Sequence, residues 1–175
     1  MKNFNVKTLV VMGLCIALSF VGSFLKISGT IAFDALPAFF AAILLGPIAG
    51  GIVGFFGHFF TAFSSGFPFT LPIHLVIAIS MFFSCAVFGF VYKKVNPIVG
   101  IVAGIIMNGP VSLAASALAL DLVFAKGAGI GMLSGQAPFL MFTGLSLASV
   151  LIIAAAINII LAAVIYERTK EYIKL

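Results

Sequence analysis

No charged residue occurs between positions 35 and 92, a run of 58 residues in a chain of 175. A bilayer crossing takes about 20 predominantly apolar residues, so this run alone has room for two or three of them. Two more uncharged runs, 95–120 and 127–166, leave little chain outside lipid. Overall, 63% of the residues are apolar and 7% charged, against roughly 45–50% and 25% in an average soluble domain. A water-soluble globule is excluded. The chain reads as one polytopic membrane domain, 1–175, with an all-α architecture.

Turn-forming residues and the few charges divide the apolar sequence. Lys2 and Lys7 precede an apolar stretch, 8–25, that looks like the front of a signal peptide but has no A-x-A cleavage site; it is read as a retained first helix, 7–25. Asp34 stands just ahead of Pro37, a carboxylate and an early proline at the start of a short second helix ending near 45. Gly46-Pro47 is a turn signal, and a third helix, 48–63, follows at once. The loop 64–72, with Pro68 and Pro72, leads to helix four at 73–91. Helix five runs from Pro97 to about 120 and is interrupted at Asn108-Gly109-Pro110. A glycine-rich loop, 121–138, precedes helix six at 139–166.

Six spans satisfy the positive-inside rule with both ends in the cytoplasm. Lys2, Lys7, Lys93, Lys94, Arg168, Lys170 and Lys174 then lie inside, and Lys26 and Lys126 outside. With Asp34 and Asp121 the outer loops sum to zero, a neutral but polar face.

The chemistry open to the chain is narrow. All four carboxylates fall in loops or at helix ends, so no acid is placed mid-membrane to couple a proton or sodium gradient. Gly-Lys never occurs, which removes the phosphate loop of a nucleotidase. Cys15 and Cys85 lie in apolar runs with no zinc spacing and read as packing residues. No cofactor and no metal site is expected. An intramembrane enzyme would use His58 or His74 with Asp34 or Asp121, yet neither HExxH nor G-x-S-x-G is present. His58 has two readings, a packed hydrogen-bonding residue beside Gly54 and Gly57 or a ligand contact, while His74 falls at the start of helix four. Asn108, beside the helix-breaking Gly109-Pro110, has two as well: a kink held by helix packing, or a ligand site at a broken helix. Phe67 and Phe69, in the loop with Pro68 and Pro72, are candidates for stacking on a ligand ring. Gly13 and Ala17 are four apart on helix one and allow close approach of another helix. The glycines of helices two and three read as internal packing.

The block Asp34-Ala35-Leu36-Pro37, followed by Leu44-Leu45-Gly46-Pro47-Ile48-Ala49-Gly50-Gly51-Ile52-Val53-Gly54, resembles the substrate-binding S components of energy-coupling factor (ECF) vitamin transporters. The likeness covers nearly the whole chain. It implies a bacterial cytoplasmic-membrane subunit that captures a small vitamin or precursor outside and releases it inside. Release would follow docking on a transmembrane coupling subunit that carries two ATPases. By the same resemblance, Gly13 and Ala17 match a small-residue docking ridge on helix one, from which Val21 departs. Substrate contacts would come from Asp34, Phe67, Phe69, His74, Ser84, Asn108 and Gln136. The stretch 57–74, with Asn108-Gly109-Pro110, looks like the branch assigned to α-ribazole, a cobalamin precursor; pantothenate and a hydroxymethylpyrimidine stay open. Partners are thus the small molecule, the ECF module and the bilayer, with no nucleic acid.

Overall fold

The computed structural model describes residues 5–28, 31–68, 70–125 and 145–173. Asn5 starts α1 (Val6–Gly22), its side chain accepting the Thr8 amide at 2.7 Å. The helix ends earlier than its hydropathy suggests because the chain turns back on itself there. A Cβ at Gly22 would sit 2.6 Å from the Phe33 carbonyl oxygen, so only glycine permits that approach. Two short antiparallel strands, β1 (Lys26–Ser28) and β2 (Ile31–Ala32), make the turn. This ribbon is the one departure from an all-α chain among the described residues.

Pro37 lies in the first turn of α2 (Leu36–Leu44), but the residue that caps it is Ala35, and no side chain bonds to its free amides. Asp34 does not serve as the cap its position suggests. Gly46, at φ +114°, turns the chain into α3 (Pro47–Ser64), and Pro72 stands at the start of α4 (Leu71–Lys94). Asn96 caps α5 (Pro97–Ile106), accepting the amides of Ile98 and Val99 at 2.8 and 3.3 Å.

The interruption expected at Asn108-Gly109-Pro110 is not a break. Residues Met107–Val111 form a single π-helical turn that runs on into α6 (Ser112–Ala125). Proline has no amide hydrogen for its fourth preceding carbonyl, and the wider turn takes up that fault without unwinding the chain. The helix also continues past 120, so residues 121–125, expected in the loop, are helical. The last described helix is α7 (Leu145–Thr169).

α2 lies at the centre, packed by α1, α3, α4 and α7. Ala38, Phe39, Ala41, Ala42 and Ile43 are fully buried, and Phe39 meets Phe88 of α4 edge to face at 5.3 Å. Glycines permit the close approach: a Cβ on Gly50 of α3 would fall 2.3 Å from the Cα of Ala42, and one on Gly89 of α4 would fall 2.7 Å from its carbonyl oxygen. The glycines of α3 serve internal packing as expected, Gly51 and Gly54 against α4 and Gly57 against α1.

Around this core the surface is apolar, with Leu14 and Leu18, Phe56 and Phe63, Phe83 and Phe90, Val102, and Ile153 and Val164 exposed. Such a surface suits hydrocarbon rather than water. By length and composition, Pro47–Ser64, Leu71–Lys94, Pro97–Ala119 and Ala148–Thr169 can each cross a bilayer, and α1 is a shorter apolar helix. At the end of the bundle bearing Lys93 and Lys94, the Tyr92 hydroxyl donates to Glu167 at 2.9 Å and Glu167 pairs with Lys170 at 2.6 Å. The Ser65–Thr70 turn between α3 and α4 lies at the opposite end.

Candidate functional site

Near the Ser65–Thr70 turn, three ionisable side chains from three elements converge inside the bundle. Asp34 belongs to the turn before α2, His58 to the second half of α3, and His74 to the first turn of α4. They are 6%, 7% and 0% exposed. Asp34 Oδ2 lies 3.8 Å from His58 Nδ1, and His58 Nε2 lies 3.4 Å from His74 Nδ1. A buried carboxylate is costly unless a partner offsets its charge, and His58 is placed to do so.

Local sequence explains the convergence. α3 and α4 form an antiparallel hairpin, which brings residues 58 and 74 level although they are 16 apart in sequence. Gly57, next to His58, has no Cβ. One built there would meet Ser19 Cβ at 2.9 Å, so the glycine lets α1 close onto α3, beside the Asp34 turn, whose carbonyl oxygen would lie at an ordinary contact distance of 3.8 Å.

Aromatic rings cover one side of the group. The Phe67 ring centroid lies 5.9 Å from His74, 5.9 Å from Phe59 and 6.1 Å from Phe63. To place that ring the turn adopts backbone that L-residues avoid: Phe67 has φ +49° and Thr70 φ +77°. A β-branched residue in that region is strained, and strain of this kind collects at ligand sites. Thr70 starts α4 without a side-chain cap bond, and its buried hydroxyl has no protein partner among the described residues; the same holds for Ser19 on α1.

Of the residues the sequence pointed to, Asp34, Phe67 and His74 are brought together here. Ser84 is buried about three helical turns further along α4, and its hydroxyl donates back to the Ser80 carbonyl at 2.8 Å. Asn108 is 6% exposed on the π turn, beside Gly109, which packs against Ile152 of α7. Phe69 and Gln136 lie outside the described residues. His58, which sequence reasoning left between packing and ligand contact, is the central member of the group. Thr70 and Ser19 were missed. Spacing could not single them out, since a lone hydroxyl in an apolar run usually bonds its own helix, as Thr61 does to the Gly57 carbonyl at 2.9 Å.

Gly13 and Ala17 are exposed on α1 and, with Ile16, Phe20 and Phe60, line an open apolar groove of about 330 Å³ between α1 and α3. Met12, Cys15, Ser19 and Gly22 are the buried seam of α1, so the small residues face away from this chain's own core. Among the described residues no group of three or more histidine, cysteine or acidic side chains has the arrangement to hold a metal ion.

The family model for the substrate-specific component of ECF transporters matches residues 7–168. No curated protein and no solved structure matches the chain.

Proposed function

The chain belongs to the family of substrate-specific components of ECF transporters, and on that premise we propose that it binds a small, uncharged vitamin precursor with an aromatic base, α-ribazole or a close relative, at the outer face of the bacterial cytoplasmic membrane. Family membership makes the chain a multi-pass membrane protein, the substrate-binding subunit of an ECF importer, and not an enzyme. The reading that set His58 or His74 to intramembrane catalysis is therefore set aside, although Asp34 does stand beside the histidines.

One observation carries the proposal: the buried Asp34, His58 and His74 group under Phe67 offers hydrogen bonds and an aromatic face in one place. Sites for small molecules combine an apolar lining with a few placed polar groups in this way. The positive-inside count supports placing the Ser65–Thr70 end outside, with six crossings and both termini in the cytoplasm. α2 alone rises only about 14 Å, so in this scheme it makes its crossing together with the residues that flank it. Asn108, Ser84, Phe69 and Gln136 join the site as further substrate contacts.

Energy comes from elsewhere. The exposed Gly13 and Ala17 groove is the docking surface for the coupling subunit, which brings the two ATPases; a groove floored by small residues admits a second helix at short range. Thermal unfolding of the purified protein with α-ribazole, pantothenate and a hydroxymethylpyrimidine tests the substrate. A ligand present at 100 times its Kd adds about 2.7 kcal/mol, so α-ribazole should raise the Tm and the others should not. A rise with pantothenate alone would reassign the substrate, and no rise with any compound would remove this class.

A further inference from the structure

The buried line that runs along α5 and α6 has one irregular step. Residues four apart stay near one face of a helix with 3.6 residues per turn. A Cβ on Gly100 would fall 2.6 Å from the Tyr92 Cα of α4, and one on Gly104 would fall 3.1 Å from Phe88 of α4 and from Ile159 of α7. The next glycine pressed onto a neighbour is Gly109, where a Cβ would meet Ile152 of α7 at 3.1 Å. It comes five residues after Gly104 rather than four. Leu113 and Ala117 then resume the interval of four, buried together with Ile73 of α4. The long step coincides with the π turn, in which the Ser112 amide donates to the Met107 carbonyl five residues back.

Without that step α6 would present another face. Intervals of 3.6 counted from Gly100 fall at about 104, 107, 111, 114 and 118, so a regular helix would point Val111, Ala114 and Leu118 into the bundle. They face outward instead: Val111 is 43% and Leu118 59% exposed, and Ala114 is exposed as well. Ser112 and Ser116 are buried, as is Asn108. One added residue turns everything after it by about 100°, which is the angle that separates these two edges of α6.

We propose that the π turn is a one-residue spacer that sets the rotation of α6, bringing the Ser112 and Ser116 edge into the bundle in line with Asn108 and turning the Val111, Ala114 and Leu118 edge toward lipid. Hydrogen bonding does not impose this rotation, since the Ser116 hydroxyl donates to the Ser112 carbonyl at 2.7 Å and could do so on either face. Packing does impose it. Gly109 closes onto α7, and Leu113 and Ala117 meet Ile73, only when the spacer is present. Polar side chains are thereby kept out of hydrocarbon, where they are costly, and apolar ones are given to it. Pro110 is the residue that can be spared: its side chain is exposed and it has no amide to donate. The rotation follows from the number of residues in the turn, not from the proline ring.

The test uses the full chain in nanodiscs, with a nitroxide placed on Val111→Cys or Leu118→Cys and its collisions with oxygen, which concentrates in lipid, as the readout. Cys15 and Cys85 are buried, and the chain without an added cysteine gives their background. Deleting Pro110 should close the π turn to a regular helix, keep both labels open to oxygen and leave a folded protein with a Tm close to native. Pro110→Ala keeps the residue count and should keep both labels open as well. Deleting Ile79 is the comparison, because it too removes an exposed side chain, but from the unbroken α4. That deletion rotates the rest of α4 with no spacer to absorb it, and folded protein should be lost. Unfolding on deletion of Pro110, or shielding of either label in that variant, overturns the proposal. So does shielding in Pro110→Ala, which would make the ring rather than the residue count responsible. Equal tolerance of the Pro110 and Ile79 deletions overturns it too, since the π turn would then have no special part in absorbing a residue.

Discussion

Thr70 holds φ at +77° with a branched side chain, in a region that costs most residues 1 kcal/mol or more. Thr70→Gly should therefore stabilise the ligand-free protein by about 1 kcal/mol, seen as a higher Tm in detergent; an unchanged or lower Tm would mean that the turn is not strained. The histidines carry the opposite expectation. His74→Ala removes a buried hydrogen-bonding group next to Phe67 and should weaken substrate binding by about 1–3 kcal/mol. Asn108→Ala should cost a similar amount if the π turn faces the ligand, and calorimetry that finds its affinity equal to wild type would assign Asn108 to packing alone. Ser84 offers less, since its hydroxyl already bonds its own helix.

Between elements, glycine contacts set the spacing. Gly50 faces the backbone of Ala42, where a methyl group would fall 2.3 Å from Cα, and backbone cannot swing aside as a side chain can. Gly50→Ala should push α2 off α3 and destabilise the protein by about 1–3 kcal/mol, whereas Gly13, with nothing within 4 Å, should accept alanine with no loss of stability. Equal Tm changes for the two would refute this division between internal and outward-facing glycines. Ala17, on the same exposed side of α1, tests the groove: Ala17→Leu fills it with bulk that a docking helix would meet. Uptake in cells carrying the whole transporter should be abolished while ligand binding to the isolated subunit stays intact. Loss of both together would place Ala17 in the fold or the substrate site rather than at the partner surface.

For the molecule as a whole, the decisive property of the proposed capture subunit is binding without an energy source of its own. Among the side chains described, the buried carboxylate is Asp34, and it stands 3.8 Å from His58. The phosphate-loop motif of a nucleotidase does not occur in the sequence. Vesicles containing this chain alone should not concentrate the substrate against its gradient, and vesicles that also hold the coupling subunit, its two ATPases and ATP should. Uphill accumulation by the chain alone would end the proposal that it is a passive capture subunit.

The membrane class, the positions of α3, α4, α5 and much of α7, and the turn at Gly46-Pro47 were legible in the sequence, because in lipid each helix satisfies its own backbone and so announces itself by local length and hydropathy. The pairing of residues 34, 58 and 74 was not. No local pattern joins a turn, a mid-helix position and a first turn of three different elements; the contact exists because Gly57 lets Ser19 of α1 close onto α3 next to the Asp34 turn and because the hairpin brings α4 level with it. For the same reason Asp34 looked like a helix cap and proved to be a partner for His58, and a proline that reads as a break proved to sit in a continuous π turn. Helices follow from neighbours in the chain, whereas this site follows from where helices touch, and only packing in three dimensions decides that.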